Sequence, residues 1–121
     1  MFRGCTSLTA APELPATELP ANCYYQMFYD CTALTTAPVL PAPTLVQRCY
    51  FQMFYNCSML ATVTCLATSG IGQSNSTTNW LYEAGTEVQG TKTVYTSSSA
   101  SWSMNNNSGI PVGWERADVN N

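Results

Sequence analysis

Apolar positions in the first half of the chain recur every four residues. Leu19, Cys23, Met27 and Cys31 form one such set, and Leu45, Cys49, Met53 and Cys57 repeat it. A recurrence of three to four residues is the mark of one helical face, so each set predicts a helix of about ten residues whose stripe turns to the core. Pro20 suits the first turn, where its missing N–H has no helical partner to lose. Gly4, Asp30 and Asn56 stand at equivalent places just past the stripe, and these residue types best tolerate the left-handed conformation that ends a helix. After each stop comes a Leu-x-x-small-x-apolar run, Leu34/Ala37/Val39 and Leu60/Val63/Cys65, which predicts a short strand with those residues inside. Glu13 breaks the run in the first copy. Pro12 and Pro38 remove ladder donors and shorten any pairing there.

A longer period organises these elements. Met1-Phe2, Met27-Phe28 and Met53-Phe54 recur at one constant step, and Cys5/Cys31/Cys57, Leu8/Leu34/Leu60, Leu14/Leu40/Leu66 and Cys23/Cys49 keep the same interval. One further step from Phe54 reaches Trp80, which predicts a degenerate fourth copy around Asn79-Trp80-Leu81 and a continued aromatic column. From Thr68 the composition shifts to Ser, Thr, Asn and Gly. Thr91–Thr96 is β-prone, one step beyond Cys65, and Ile110–Trp114 offers another apolar strip. The expected division is therefore repeats over residues 1–67 and a degenerate repeat with a C-terminal cap over 68–121. Trp80, Trp102 and Trp114 are candidate plugs for the last open face, and Ser97–Ser108 reads as a loop.

Composition narrows the functional classes. Only 9% of the 121 residues are charged, against roughly 25% in an ordinary globular protein. The net charge of -3 offers no basic stripe for nucleic acid. No apolar run approaches the roughly 18 residues that would suggest a membrane span. Met1-Phe2-Arg3-Gly4-Cys5 lacks a basic and then apolar leader, and Met1 falls within a repeat. That register reads as a chain continuing from a longer parent whose export signal lies upstream.

The pattern Met-Phe-x-x-Cys-x-x-Leu, followed by Ala-Pro-x-Leu-Pro-Ala and Cys-Tyr-x-x-Met-Phe, resembles the BspA-like leucine-rich-repeat proteins of gut and oral anaerobes. Residues 1–66 carry the resemblance most strongly, and Ser108-Gly109-Ile110-Pro111-Val112-Gly113-Trp114 is similar to the C-terminal end common in them. The resemblance implies an α/β repeat fold: a right-handed leucine-rich-repeat-type solenoid of short parallel strands and short helices with a C-terminal cap. It implies a cell-surface or extracellular setting as part of a longer parent, with adhesion or recognition known for some members. It carries over no ligand and no catalytic residue.

The chemistry within the chain points the same way. There is no histidine, so Ser-His-Asp and Cys-His constellations are excluded. The seven carboxylates form no metal loop or glycosidase-like motif; Glu83 and Glu87 are four apart but flank Gly85. No cofactor or metal is expected. The six cysteines have two readings, a disulfide framework and packed thiols. They lie too far apart in sequence for the close pairs of a zinc site. They fall into repeat columns, and neighbouring helices about 8–10 Å apart would strain column-wise bridges that need Cα atoms within about 6.8 Å. Packed thiols are the favoured reading. Asn-x-Ser/Thr occurs at Asn56, Asn75 and Asn106, where ordinary turn residues suffice as explanation.

With Leu19, Cys23 and Met27 inside, a helix would carry Tyr25, Tyr29, Phe51 and Tyr55 on its outer side as one aromatic patch. The strands would offer the hydroxyls of Thr9, Thr35, Thr36 and Thr62. The expected function is a non-enzymatic cell-surface recognition or adhesion module binding a macromolecule or glycan, with the ridge of Tyr25, Tyr29, Phe51 and Tyr55 as the preferred contact and Thr36 and Thr62 of the strand face as the alternative. The alternative is a structural spacer or terminal cap of a longer surface or phage-fibre protein. Nucleic acid and membrane insertion are not expected; self-association is compatible with either reading.

Overall fold

The computed structural model describes residues 2–71, 75–102 and 109–119. Four short strands form one parallel sheet in chain order: β1 (Thr36–Leu40), β2 (Thr62–Cys65), β3 (Thr93–Thr96) and β4 (Glu115–Asp118). Ala10 adds an isolated parallel bridge to Thr36, so the first repeat touches the sheet without supplying a strand. Pro12 in that copy has no N–H to donate, which accounts for the short pairing. The tail thus contributes β3 and β4 to the sheet begun by the repeats.

The expected helices are absent among the described residues, and this corrects the α/β reading. In their place run chains of tight turns. The N–H groups of Cys23, Tyr25, Met27, Tyr29 and Cys31 each donate to the carbonyl three residues back. The intervening N–H groups of Tyr24, Gln26, Phe28 and Asp30 instead cross to the carbonyls of Cys49, Phe51, Met53 and Tyr55 in the next repeat, at 2.9–3.1 Å. A helix would direct every donor along its own axis; here every second donor ties one layer to the next.

Every fourth residue of these ribbons has a left-handed backbone. Asn22, Gln26 and Asp30 lie at φ 61°, 52° and 62°; Arg48, Gln52 and Asn56 at 52°, 51° and 61°; Asn75, Asn79 and Glu83 at 59°, 54° and 61°. No α-helix accommodates such a pattern. Layer thickness explains why the ribbon prevails. Parallel strands stand about 4.8 Å apart, and the stacked rings on the far side of the layers have centroids 4.6–5.6 Å apart between the first three repeats for most pairs. Helices packed about 8–10 Å apart would force the two sides of each layer to differ by almost twofold.

The core runs between sheet and ribbons. Phe28, Cys31, Leu34, Leu40, Cys49, Met53, Phe54, Cys57, Leu60, Val63 and Cys65 are fully buried. Phe2, Phe28 and Phe54 stack face to face, 5.5 and 5.6 Å between centroids. The expected continuation at Trp80 needs correction. From the second repeat to the third the left-handed positions advance by the regular step, Asp30 to Asn56, but the next advance, Asn56 to Glu83, is longer by one. That extra residue places Trp80 in the Met53 position. It stacks on Tyr50 at 6.2 Å and meets Phe54 only at a 55° tilt.

Strand parity differs from expectation at one place. Thr36 pairs with Thr62 and Val39 with Thr64, so β1 spends three residues where β2 spends two. Such a bulge reverses the side-chain alternation. Val39, expected inside, is 53% exposed, and Pro38 and Leu40 are buried. Likewise Cys65 pairs with Thr96, not Thr91.

At the C-terminal end Trp102 stacks on Trp80 at 5.2 Å, and the Trp80 Nε1–H donates to the Gly109 carbonyl at 2.8 Å. Ile110 and Trp114 complete the cover. Residues 103–108 of the expected loop, and with them Asn106, lie outside the described residues, as does Met1. Asn56 and Asn75 are turn residues with left-handed φ.

Candidate recognition surfaces

The outer face of the sheet is built from two rows. Thr36, Thr62, Thr93 and Glu115 are paired across the four strands; Val39, Thr64, Tyr95 and Ala117 form the second row. Thr36, Val39, Tyr95 and Glu115 are exposed, and Thr62, Thr64 and Thr93 half-buried. Alternation explains this: within Thr62–Cys65 and Thr93–Thr96, Val63, Cys65, Val94 and Thr96 point inward and the residues between them outward. The result is a hydroxyl-and-apolar surface without charge over its first three strands. Of these residues, sequence reasoning selected Thr36 and Thr62 and missed Val39, Thr64, Thr93 and Tyr95. The matching alternation of Thr62-Val63-Thr64 and Thr93-Val94-Tyr95 was the available signal.

The four aromatic residues expected as one outer patch occupy two stacked rows. Tyr25 lies on Phe51 at 5.0 Å, and Tyr29 on Tyr55 at 4.6 Å. Tyr82 lies beyond Tyr55 at 5.1 Å; sequence reasoning missed it because it stands one position past the regular step from Tyr55. The Arg3 guanidinium covers the other face of Tyr29 at 4.7 Å. Both faces of Tyr29 and Tyr55 are therefore occupied, and these rings offer edges and hydroxyls to solvent. Tyr25 is the most exposed of the original four, at 42%. Polar ladders run beside the rings: Gln26 donates to the Gln52 side-chain oxygen, and the Asn56 amide donates to Asp30 Oδ1 at 2.9 Å.

The thiols are interior groups. All six cysteines are free; Cys31, Cys49, Cys57 and Cys65 are buried and Cys5 and Cys23 half-buried. Cys31 and Cys57 donate their S–H to the carbonyls of Phe2 and Phe28 at 2.9 and 3.0 Å. Burial pushes the Cys49 thiol up to about 11 and those of Cys57 and Cys65 up to about 12. They are thus protonated packing groups and poor nucleophiles at neutral pH. The Tyr50 hydroxyl, buried without a hydrogen-bond partner among the described residues, also titrates well above the ordinary phenol range because of burial. Among the described residues no group of three or more Cys, Asp or Glu side chains is arranged to hold a metal ion. Nor is any helix there long and apolar enough to cross a membrane.

One cavity of about 310 Å³ lies where the last ribbon meets the C-terminal segment, with Tyr82, Glu83, Lys92 and Trp114 in its walls. A second, about 380 Å³, is a proline-lined groove beside β1 involving Pro15, Pro38, Val39 and Pro41. Comparison with known proteins adds no assignment: no family model, curated protein or solved structure matches the chain.

Proposed function

We propose that this chain is a non-enzymatic recognition module, a solenoid of stacked coils that meets a macromolecule or glycan through the outer face of its sheet. The observation that carries the reading is the pair of rows Thr36/Thr62/Thr93 and Val39/Thr64/Tyr95, which combines regularly spaced hydroxyls with apolar contact. Partners at about 4.8 Å spacing meet such a face without paying for removal of charge from water. The layer-to-layer bonding supports the solenoid, and the strong bias of parallel crossovers supports a right-handed course. The resemblance to BspA-like proteins supports a cell-surface setting within a longer parent.

The ridge of Tyr25, Tyr29, Phe51 and Tyr55 is the weaker contact, because stacking already occupies most of its ring faces. A glycan array and a panel of immobilised surface proteins, probed with wild type and two double variants, separate the sites. Loss of binding in Thr36→Glu/Thr62→Glu, with retention in Tyr25→Ser/Phe51→Ser, is the expected result. The reverse pattern moves the contact to the ridge. The different covering of the two ends favours one second reading, a terminal cap or spacer. Trp102, Ile110 and Trp114 close the last layer, whereas Phe2, Cys5 and Leu8 of the first remain half-buried. Absence of wild-type binding to every probe would favour it.

A further inference from the structure

We infer that the cavity at the C-terminal end is a binding site of its own, taking a neutral pyranose ring seated on Tyr82. This rests on reading the chain as a recognition module but not on the sheet face. Tyr55 covers one face of the Tyr82 ring. The cavity that Tyr82 lines also takes in Pro111 and Trp114, from the segment leading into β4. Tyr82 is 37% exposed and lines the cavity, and among the described residues no ring other than that of Tyr55 stacks on it.

The polar groups of the cavity suit a polyol. Glu83, Thr86 and Lys92 share the lining of the cavity with Tyr82. An ionised carboxylate only accepts hydrogen bonds, an ammonium only donates them, and a hydroxyl does both. Together they match the paired donors and acceptors of adjacent sugar hydroxyls, while the ring's C–H face suits the phenol. Glu83 and Lys92 cancel in charge, so the walls favour neither a phosphate nor a cation. A cavity of about 310 Å³ is at the lower end of small-molecule sites, which span about 300–1,000 Å³, and fits one or two rings.

The site is held in place before any ligand arrives. Gly85 has φ 74°, and a Cβ there would fall 2.5 Å from Lys92 Cδ and 3.2 Å from Trp114 Cζ2. The Lys92 stem and the indole therefore lie directly on the glycine. The Glu115 N–H donates to the Lys92 carbonyl at 2.8 Å, tying that backbone to β4.

Titration of the ¹⁵N-labelled chain with methyl glucoside, methyl N-acetylglucosaminide, methyl glucuronide and methyl glucosaminide tests the proposal. The two neutral glycosides should shift the Trp114 indole resonance with saturation, and the anionic and cationic ones should bind more weakly. Tyr82→Ala should weaken binding by about tenfold or more, as loss of an aromatic anchor does, and Tyr82→Phe should retain it. Glu83→Gln, a change at an exposed side chain, should weaken it several-fold and serves equally if Tyr82→Ala fails to fold. Failure of every neutral glycoside to shift Trp114, preference for a charged one, or unchanged binding by a folded Tyr82→Ala or by Glu83→Gln overturns the site. Thr36→Glu/Thr62→Glu should leave the titration unchanged; if that pair abolishes it, the sugar sits on the sheet, and the cavity proposal falls while the recognition reading stands.

Discussion

Replacing Arg48 by glycine distinguishes a turn ribbon from a helix by the sign of a single stability change. Arg48 has φ 52° and an exposed side chain, and its carbonyl accepts the Phe51 N–H, a bond that glycine retains. At such a φ an L residue crowds its backbone at a cost of roughly 1–2 kcal/mol, which glycine escapes. Glycine in turn loses about 0.5–1 kcal/mol more chain entropy on folding. The balance is a stabilisation of about 0.5–1 kcal/mol. Were the segment helical, the same change would destabilise by about 1 kcal/mol. Arg48→Ala removes the same charge while keeping Cβ, so the difference between the two variants isolates the backbone effect. Urea unfolding followed by tryptophan fluorescence reads that difference as a shift in midpoint at constant slope. A midpoint for Arg48→Gly below that of Arg48→Ala would refute the left-handed assignment. Gln52, at φ 51°, is a less clean choice because its side chain accepts the Gln26 hydrogen bond.

Phe28→Ala removes a fully buried ring stacked on both sides and should cost about 3–5 kcal/mol; Phe2→Ala, at a half-buried ring with one stacking partner, should cost clearly less in the same urea assay. Cys57 and Cys65 make stability fall with alkali. Burial raises their folded thiols to about 12 from the ordinary 9.0, so their contribution is complete below pH 9, where both states are protonated. Above it the unfolded chain ionises first, and about 1.4 kcal/mol is lost per thiol per pH unit until the folded thiols ionise near pH 12. Urea midpoints should drop between about pH 9 and 11 by less in Cys57→Ala/Cys65→Ala than in wild type; equal drops would remove the thiols from the explanation.

The repeat itself was legible from the chain alone. Recurrence of Met-Phe, Cys and Leu at one fixed interval announces a layered core, and the same columns explain why Phe2, Phe28 and Phe54 stack and why the thiols sit in rows. The sequence also marked Asp30 and Asn56 as left-handed positions. It did not decide what lies between them, because period four belongs equally to a helix and to a ribbon of paired turns. The distinguishing sign was present in Cys-Tyr-Tyr-Gln followed by Met-Phe-Tyr-Asp: two inward residues, then two outward ones, without the drift of about 40° every four residues that a helix imposes.

Other features depend on contacts between distant segments. A bulge between Thr36 and Val39 turns Val39 outward, and its effect is set only when β1 pairs with β2. One extra residue before Asn75 moves Trp80 out of the phenylalanine column and brings Tyr82 into the tyrosine row. Stacking then decides which rings are available, closing the faces of Tyr29 and Tyr55 and leaving Tyr82, on which Tyr55 alone stacks among the described residues, at the cavity. Local sequence determines which residues turn inward. Only the thickness of a layer, common to sheet and ribbon, decides that no helix fits between them, and only the packing of the last segment on the fourth layer makes the cavity.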